Sequence, residues 1–311
     1  MTDVLSDVLN TVDLQAALYF RTEYHPPFGV AVPAFKRAAR FHFIVQGRCN
    51  VRLEDGRSVE LSAGDLVLVP NGAAHVLASA ADFPGAPLPD AIAAAGFKGE
   101  GPFIIGEGDP TMACKMVCGH FSFADGADHP LLRAVPDLFH ITSADRAVHL
   151  MLDDVLRLIV RRTFEDQPGS TASVSRLSEV LFIEVLRAGI VQAPEVQRVM
   201  SAVYDPHIGK ALALIHSDVG RAWSVESLAS AVGMSRSRFA ERFRELVGAG
   251  PMNYVAEWRL QRALNLVTQQ NQPIKAVAHQ VGFKSAAAFT RAFSDRFGQS
   301  PRDIKKTEKP T

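Results

Sequence analysis

Long apolar runs are missing from this chain: nothing in its 311 residues approaches the ~18 consecutive apolar residues that a membrane-spanning helix needs. No membrane association is therefore expected. Cysteine is scarce. Cys49, Cys114 and Cys118 are too few for a disulfide framework, which fits a reducing cytoplasm. The opening Met1-Thr2-Asp3-Val4 has no basic stretch ahead of an apolar one, so a secretory signal is not expected. Net charge is lacking too, but the balance conceals a division. Residues 1–200 hold 17 Lys and Arg against 24 Asp and Glu (−7), and residues 201–311 hold 16 against 9 (+7). A basic end on an acidic front suits phosphate binding confined to that end, although any basic surface helix produces such an excess.

What is present is a repeat in the basic third. Leu228-Ala229-Ser230-Ala231-Val232-Gly233-Met234-Ser235, followed by Phe239 and Phe243, returns as Val277-Ala278-His279-Gln280-Val281-Gly282-Phe283-Lys284-Ser285, followed by Phe289 and Phe293. Each copy reads as a helix, a glycine turn and a second helix. In the first copy Ser235 is placed as N-cap of a helix from Arg236 to Val247, with Phe239, Phe243 and Leu246 inward. Arg236, Ser237, Arg238, Ala240, Glu241 and Arg244 are then outward. In the second, Pro273 is expected at N1, Ser285 caps a helix to about Phe297, and Lys284, Ala286, Ala287, Thr290 and Arg291 are outward. Pro251 to Thr268 reads as one joining helix of roughly 25 Å. With the offset of each outward helix, that approaches the ~34 Å between successive major-groove openings on one DNA face.

The front of the chain reads differently. Short strands between about Tyr19 and Ala80, with a turn at Glu54-Asp55-Gly56-Arg57 and stops at Gly64-Asp65 and Pro70-Asn71-Gly72, predict a small barrel or jelly roll. Ala81 to Gly101 reads as a mobile loop, and strands resume around Thr111 to Phe123. From Ala144 the period is helical. Val148, Leu152, Val155, Leu156, Ile159 and Val160 form one face, and Val174, Leu177, Leu181, Val185 and Leu186 a second. These two helices are expected to pack on the sheet or to pair across a dimer. Gln192 to Tyr204 reads as a short connecting segment, and Asp205-Pro206 as a helix start with Asp at N-cap and Pro at N1.

The segment Ile208 to Arg302 resembles the DNA-binding domain of the AraC/XylS family of bacterial transcription regulators. The motifs are Trp223-Ser224-Val225-Glu226-Ser227-Leu228-Ala229, Met234-Ser235-Arg236-Ser237-Arg238-Phe239, Trp258-Arg259-Leu260 and Gly298-Gln299-Ser300-Pro301. The resemblance implies that Ser237, Ala240 and Glu241, then Ala286, Ala287, Thr290 and Arg291, read bases. Phosphate contacts are expected from Arg236, Arg259, Lys284 and Arg302, with Arg238 and Ser285 on the same surface. Glu241 stands where the family commonly has a basic residue. It either accepts from a cytosine amino group or pairs with Arg238 or Arg244. Gly64 to His75 fits the second motif of the cupin superfamily, so residues 1–200 resemble the cupin-type sensor domain of one branch of that family, with linking or dimerising helices at about 146–190. The domain of residues 201–311 follows it, making an α+β chain.

The first cupin motif is degraded, with Arg40, His42 and Gln46 in place of two histidines and a carboxylate. His42, Gln46 and His75 either line a small-molecule pocket or are satisfied core residues, and no metal, cofactor or catalytic residue is expected. Cys114, Cys118 and His120, with His129 and His140 downstream, would share one strand face as a metal or redox group; buried structural cysteines are the alternative. The expectation is an effector-responsive, DNA-binding transcription regulator, an activator rather than a repressor. Its partners would be promoter DNA, RNA polymerase, a small-molecule effector and a second copy in a homodimer. A cupin-type metal-dependent enzyme with a DNA-binding tether, or an effector-free nucleoid protein, are the competing readings.

Overall fold

Two kinds of element dominate in turn: strands over most of the stretch from Gln15 to Ser122, and helices from Ser143 onward. The computed structural model describes residues 3–35, 38–70, 72–124, 126, 129–165, 167–192, 194–268 and 272–307, so Asn71 of the Pro70-Asn71-Gly72 stop lies outside them. The strands are β1 (Gln15–Tyr24), β2 (Gly29–Val32), β3 (Ala38–Gln46), β4 (Arg48–Leu53), β5 (Ser58–Ser62), β6 (Leu66–Val69), β7 (His75–Ala78), β8 (Ala86–Pro87), β9 (Pro102–Ile105), β10 (Cys114–Ser122) and β11 (Phe139–Ile141). The helices are α1 (Val4–Thr11), α2 (Leu88–Ala94), α3 (Pro130–Arg133), α4 (Ser143–Val148), α5 (Leu150–Phe164), α6 (Ser170–Gln192), α7 (Pro194–Tyr204), α8 (Ile208–Ser217), α9 (Val225–Ala231), α10 (Arg236–Val247), α11 (Pro251–Thr268), α12 (Ile274–Gln280), α13 (Ala286–Phe297) and α14 (Pro301–Thr307).

They form two compact units. The β unit comprises Gln15–Phe123 and Val135–Gln192; the helical unit comprises Met1–Leu14, Ala124–Ala134 and Ala193–Thr311. A linear division at residue 200 puts residues 1–14 and 124–134 in the front domain, whereas here they join the helical unit.

The β unit has a six-stranded sheet, β11-β6-β3-β10-β1-β9, and a five-stranded sheet, β5-β4-β7-β2-β8. Val30, Val51, Leu61 and Leu77 of the second sheet share one apolar core with Tyr24, Ile44, Val67 and Met116 of the first. This is the two-sheet arrangement that the strand spacing predicts. The β4–β5 hairpin closes at the expected turn, where Asp55 Oδ1 accepts from the Arg57 N–H at 2.9 Å. α6 packs on β1 and β10: the Phe182 ring lies 4.9 Å from Phe121 and 5.5 Å from Phe123.

Three local expectations need correction. Ala81 to Gly101 is not a featureless loop. Leu88, Ala91 and Ile92 recur at helical spacing and, with Phe97, anchor α2 on the core. Val148 is 76% exposed, because the helix breaks at His149 (φ −111°, ψ 72°) and α5 starts a new register. Gln192 to Tyr204 is no mere connector: Val196, Val199, Met200 and Ala202 are buried along α7.

In the helical unit α1 turns Val4, Leu5, Val8, Leu9 and Val12 inward against α8 and α11. Burial of such side chains is worth ~1.5–3 kcal/mol each as an upper estimate, which accounts for the helix joining this unit. Polar contacts fix its register on α11: Arg262 donates to Thr11 Oγ1 at 3.2 Å and Asn265 to the Asn10 carbonyl at 3.4 Å.

Candidate nucleic-acid interface

The first copy of the repeat opens with a capping box: Ser224 Oγ accepts from the Ser227 N–H, and the Ser227 hydroxyl returns to the Ser224 N–H. Leu228, Ala229 and Val232 are buried, and Gly233 turns the chain at φ +72°. Ser235 stands at the N-cap of α10, although its side chain makes no capping bond. Phe239, Phe243 and Val247 form the buried stripe, four residues apart; Leu246, expected inward, is half-buried. Arg236, Ser237, Arg238, Glu241 and Arg244 are exposed, and Ala240 is half-buried. Among the described residues Glu241 makes no ion pair, so its alternative pairing with Arg238 or Arg244 is not formed.

The second copy repeats this geometry with small changes. Pro273 is the N-cap residue rather than N1, with extended backbone that starts α12 at Ile274. Ser285 caps α13 by accepting from the Ala288 N–H at 3.2 Å. Phe289 and Phe293 are buried, while Phe297 is half-buried. Lys284, Ser285, Ala287 and Arg291 are exposed, with Ala286 and Thr290 half-buried. Both outward faces therefore combine small, polar and cationic side chains on a rigid aromatic backing.

Two charge pairs fasten these helices. Asp205 accepts from the Ile208 N–H at 2.8 Å and from Arg242 of α10 at 2.8 Å. Its carboxylate accepts N–H groups at the start of α8, but the N-cap residue is His207 and the helix begins at Ile208, so Asp205 and Pro206 are not the N-cap and N1 that the sequence suggests. Arg296 of α13 donates to Glu257 of α11 at 2.6 Å.

Arg259 is not available as an exposed phosphate contact. Its Nε donates to the Val219 carbonyl at 3.0 Å and its Nη2 to the Arg221 carbonyl at 2.7 Å, bracing the loop between α8 and α9. The sequence motif around Trp258-Arg259 thus marks an architectural arginine.

A buried polar cluster behind the interface was not legible in the sequence. The Tyr254 hydroxyl lies 2.7 Å from His216 Nε2 and 3.1 Å from His129 Nε2, donating to one and accepting from the other. The His216 ring stacks on Trp258, centroids 3.8 Å apart. Burial drives the His129 pKa down to about 3 and that of His216 below its ordinary value, so both imidazoles stay neutral. Asp7 of α1 faces His216 Nδ1 at 3.7 Å. Residues 7, 129, 216 and 254 come from four separate segments of the chain, a relation no local pattern encodes.

In the β unit His42 Nε2 lies 2.9 Å from His75 Nε2, His42 Nδ1 lies 3.1 Å from Cys118 Sγ, and His75 Nδ1 lies 2.8 Å from the Ala73 carbonyl. One hydrogen-bond assignment satisfies all three contacts. Cys118 S–H donates to His42, His42 Nε2–H donates to His75, and His75 Nδ1–H donates to Ala73. Burial lowers the His75 pKa to about 4, lowers that of His42 well below its ordinary value and raises the Cys118 thiol, all consistent with neutral groups. Every ring nitrogen is already engaged, which matches satisfied core residues. Gln46 does not join the imidazoles. At the end of β3 its amide donates to the carbonyls of Pro110 (2.8 Å) and Ala113 (3.1 Å).

The cysteine group is likewise dispersed. All three thiols are buried; His129 lies in the helical unit, and His140 sits 3.3 Å from Asp65. Among the described residues no three His, Cys, Asp or Glu side chains are placed to hold a metal.

The cupin family matches residues 3–190, and a helix-turn-helix domain family matches residues 228–307. The HTH-type transcriptional regulator AlkR of Acinetobacter baylyi is 30% identical over 306 residues, covering 96% of this chain and 98% of its own. A Streptomyces antibioticus protein named as an AraC-like transcription regulator is 29% identical, with 99% and 100% covered. The RCS-specific HTH-type transcriptional activator RclR of Escherichia coli is 25% identical, with 86% and 84% covered.

Proposed function

This chain belongs to the AraC-like transcription regulators that carry a cupin domain ahead of a helix-turn-helix domain, and from that premise we propose that α10 and α13 dock together in successive major grooves of promoter DNA. Transcription regulation through sequence-specific DNA binding is the function of the family. The observation that carries the docking reading is the pair of matched outward faces, Arg236 to Glu241 and Lys284 to Arg291, in the segment of charge +7.

Within that reading, Ser237, Ala240 and Glu241 face bases from α10, and Thr290 and Arg291 face them from α13. Unpaired among described residues, Glu241 is suited to accept from a cytosine amino group. Ala286 and Ala287 offer methyl contacts, so α13 contributes placement as well as base choice. Arg236, Lys284 and Arg302 supply phosphate contacts, with Arg238 and Ser285 beside them; Arg259 is left out because its guanidinium braces the backbone.

The cupin domain acts as the sensor of a small-molecule or stress signal, and RNA polymerase is the partner in activation. The word activator in the name of RclR supports that sign. The relatives are regulators, which points away from an enzyme. The protein works in the bacterial cytoplasm; among the described residues no helix is long and apolar enough to cross a membrane. A homodimer is supported by Leu150, Met151 and Leu158 of α5, exposed by 73, 57 and 42%.

The test is anisotropy titration of the full chain on a duplex selected from random sequence and on its scrambled counterpart. A preference of about 10³-fold or more for the selected duplex is expected. Equal affinity for the two would remove the sequence-specific reading. Retained preference after simultaneous loss of Ser237, Glu241 and Arg291 side chains would remove the docking faces.

A further inference from the structure

A cavity of about 440 Å³ opens in the helical unit between the 129–133 segment and α11, within the ~300–1,000 Å³ range of small-ligand pockets. Its wall includes Arg133, Asn253, Tyr254, Glu257, Trp258 and Arg296. Its polar side chains include the Arg133 and Arg296 guanidinium groups and the Asn253 amide, while the Trp258 indole N–H is buried and has no acceptor among the described residues. Tyr254 and Trp258 add aromatic faces. The one carboxylate in the wall, Glu257, already receives Arg296 at 2.6 Å. Donors around aromatic surface fit a ligand whose apolar body lies on the rings and whose oxygens accept from the rim.

We infer that this cavity binds a small organic anion and that its occupancy adjusts the seating of α13. Arg296 belongs to α13 and Glu257 to α11, so an anion beside Arg296 competes with Glu257 for the same guanidinium. The helix that carries Arg291 then shifts its balance between two seatings, which is what a ligand-controlled DNA affinity requires. The site is separate from the imidazole pair of the cupin domain. The coupling, though not the binding, rests on the reading of α13 as a DNA-contacting helix.

The experiment uses the full chain carrying Trp223→Phe, which leaves Trp258 as its only tryptophan. Benzoate and hexanoate are titrated against benzamide and hexanamide, without DNA, while Trp258 emission and the melting temperature are followed. Saturable changes with the carboxylates are expected, with the amides about tenfold weaker or more, the ratio that one charge-assisted contact supplies. Ala256→Phe starts from an exposed lining position and puts a ring into the cavity, so it should abolish the response at an unchanged unliganded melting temperature. Arg133→Gln should weaken it. No saturable response, equal responses to acid and amide, or a full response in Ala256→Phe would each overturn the site. These outcomes leave the DNA-binding reading untouched. Operator affinity is then measured with and without benzoate: a severalfold change lost in Ala256→Phe supports the coupling, and an unchanged affinity at saturation refutes it.

Discussion

Arg242 Nε lies 2.8 Å from Asp205 Oδ2, so the outward-facing helix α10 is fastened to the turn that opens α8. The other oxygen of that carboxylate accepts from the N–H groups of His207 and Ile208 at 2.9 and 2.8 Å. Asp205→Ala should therefore lower stability by about 2 kcal/mol, chiefly through the two abandoned backbone donors. Asp205→Asn should recover part of that, since an amide oxygen still caps. Urea unfolding of the three proteins checks it, and a loss well under 1 kcal/mol for the alanine variant would contradict the capping role.

The two glycine turns should tolerate alanine unequally. Gly233 (φ +72°) has open space around a built Cβ, so only the left-handed backbone is strained, at ~1 kcal/mol. Gly282 (φ +86°) would place a Cβ 2.7 Å from the Gly220 carbonyl oxygen and 2.7 Å from Arg259 Nη2. Gly282→Ala is expected to cost roughly 3 kcal/mol, in the range of overpacked sites. Comparable melting temperatures for the two variants would show that the second turn is not sealed in this way.

Charge removal should separate phosphate contacts from architecture. Arg236→Ala is expected to lower the slope of log affinity against log salt by about one unit. Arg259→Ala should leave the slope unchanged while lowering stability, because its guanidinium is committed to Val219 and Arg221. Arg291→Ala should weaken specific binding by roughly 1–3 kcal/mol if it reads a base, with a smaller loss on random DNA. An equal loss on both would assign it to phosphate.

Acid should destabilise the protein before its carboxylates titrate. His75 has its folded pKa lowered to about 4 and His129 to about 3, with His42 and His216 shifted the same way. The unfolded chain takes up these protons near pH 6.5, whereas the folded chain refuses them. Stability is thus complete above about pH 7 and falls as pH drops through 6.5 towards 4, at most ~1.4 kcal/mol per pH unit for each such histidine. Below that, Asp205 adds a further loss: burial opposes its ionisation, but the bonds from Arg242, Ile208 and His207 outweigh it and lower its pKa. His129→Gln or His75→Gln should flatten the dependence between pH 6.5 and 4. An unchanged profile in both would exclude neutral buried imidazoles.

The exposed apolar residues of α5 predict self-association. Met151→Asp with Leu158→Asp should shift sedimentation towards the monomer, and an unaltered distribution would place any dimer contact elsewhere.

How far the chain could be read in advance depended on the range of the interaction concerned. The doubled motif was legible because each turn and each phenylalanine stripe lies within about 20 residues of itself; Ser285, Gly282, Phe289 and Phe293 each stand where local geometry requires them. Short strands and their hairpin turns were legible for the same reason. Arg259 misled because its type and neighbours suggest an exposed cation, and only the approach of two backbone carbonyls reveals its commitment. Val148 misled because a helical period does not announce a break at the next residue.

Sequence alone determined the family, the two kinds of fold and the outward faces of α10 and α13, since these follow from periodicity, capping and turn chemistry within short windows. Tertiary structure alone decided that α1 and the 124–134 segment join the helical unit, that His42 and His75 satisfy each other, and that Tyr254 links His129 to His216. Those outcomes depend on which distant surfaces bury one another and on which buried donor finds which acceptor. Such pairings are settled by the packing of the whole chain, and no window of neighbouring residues contains them.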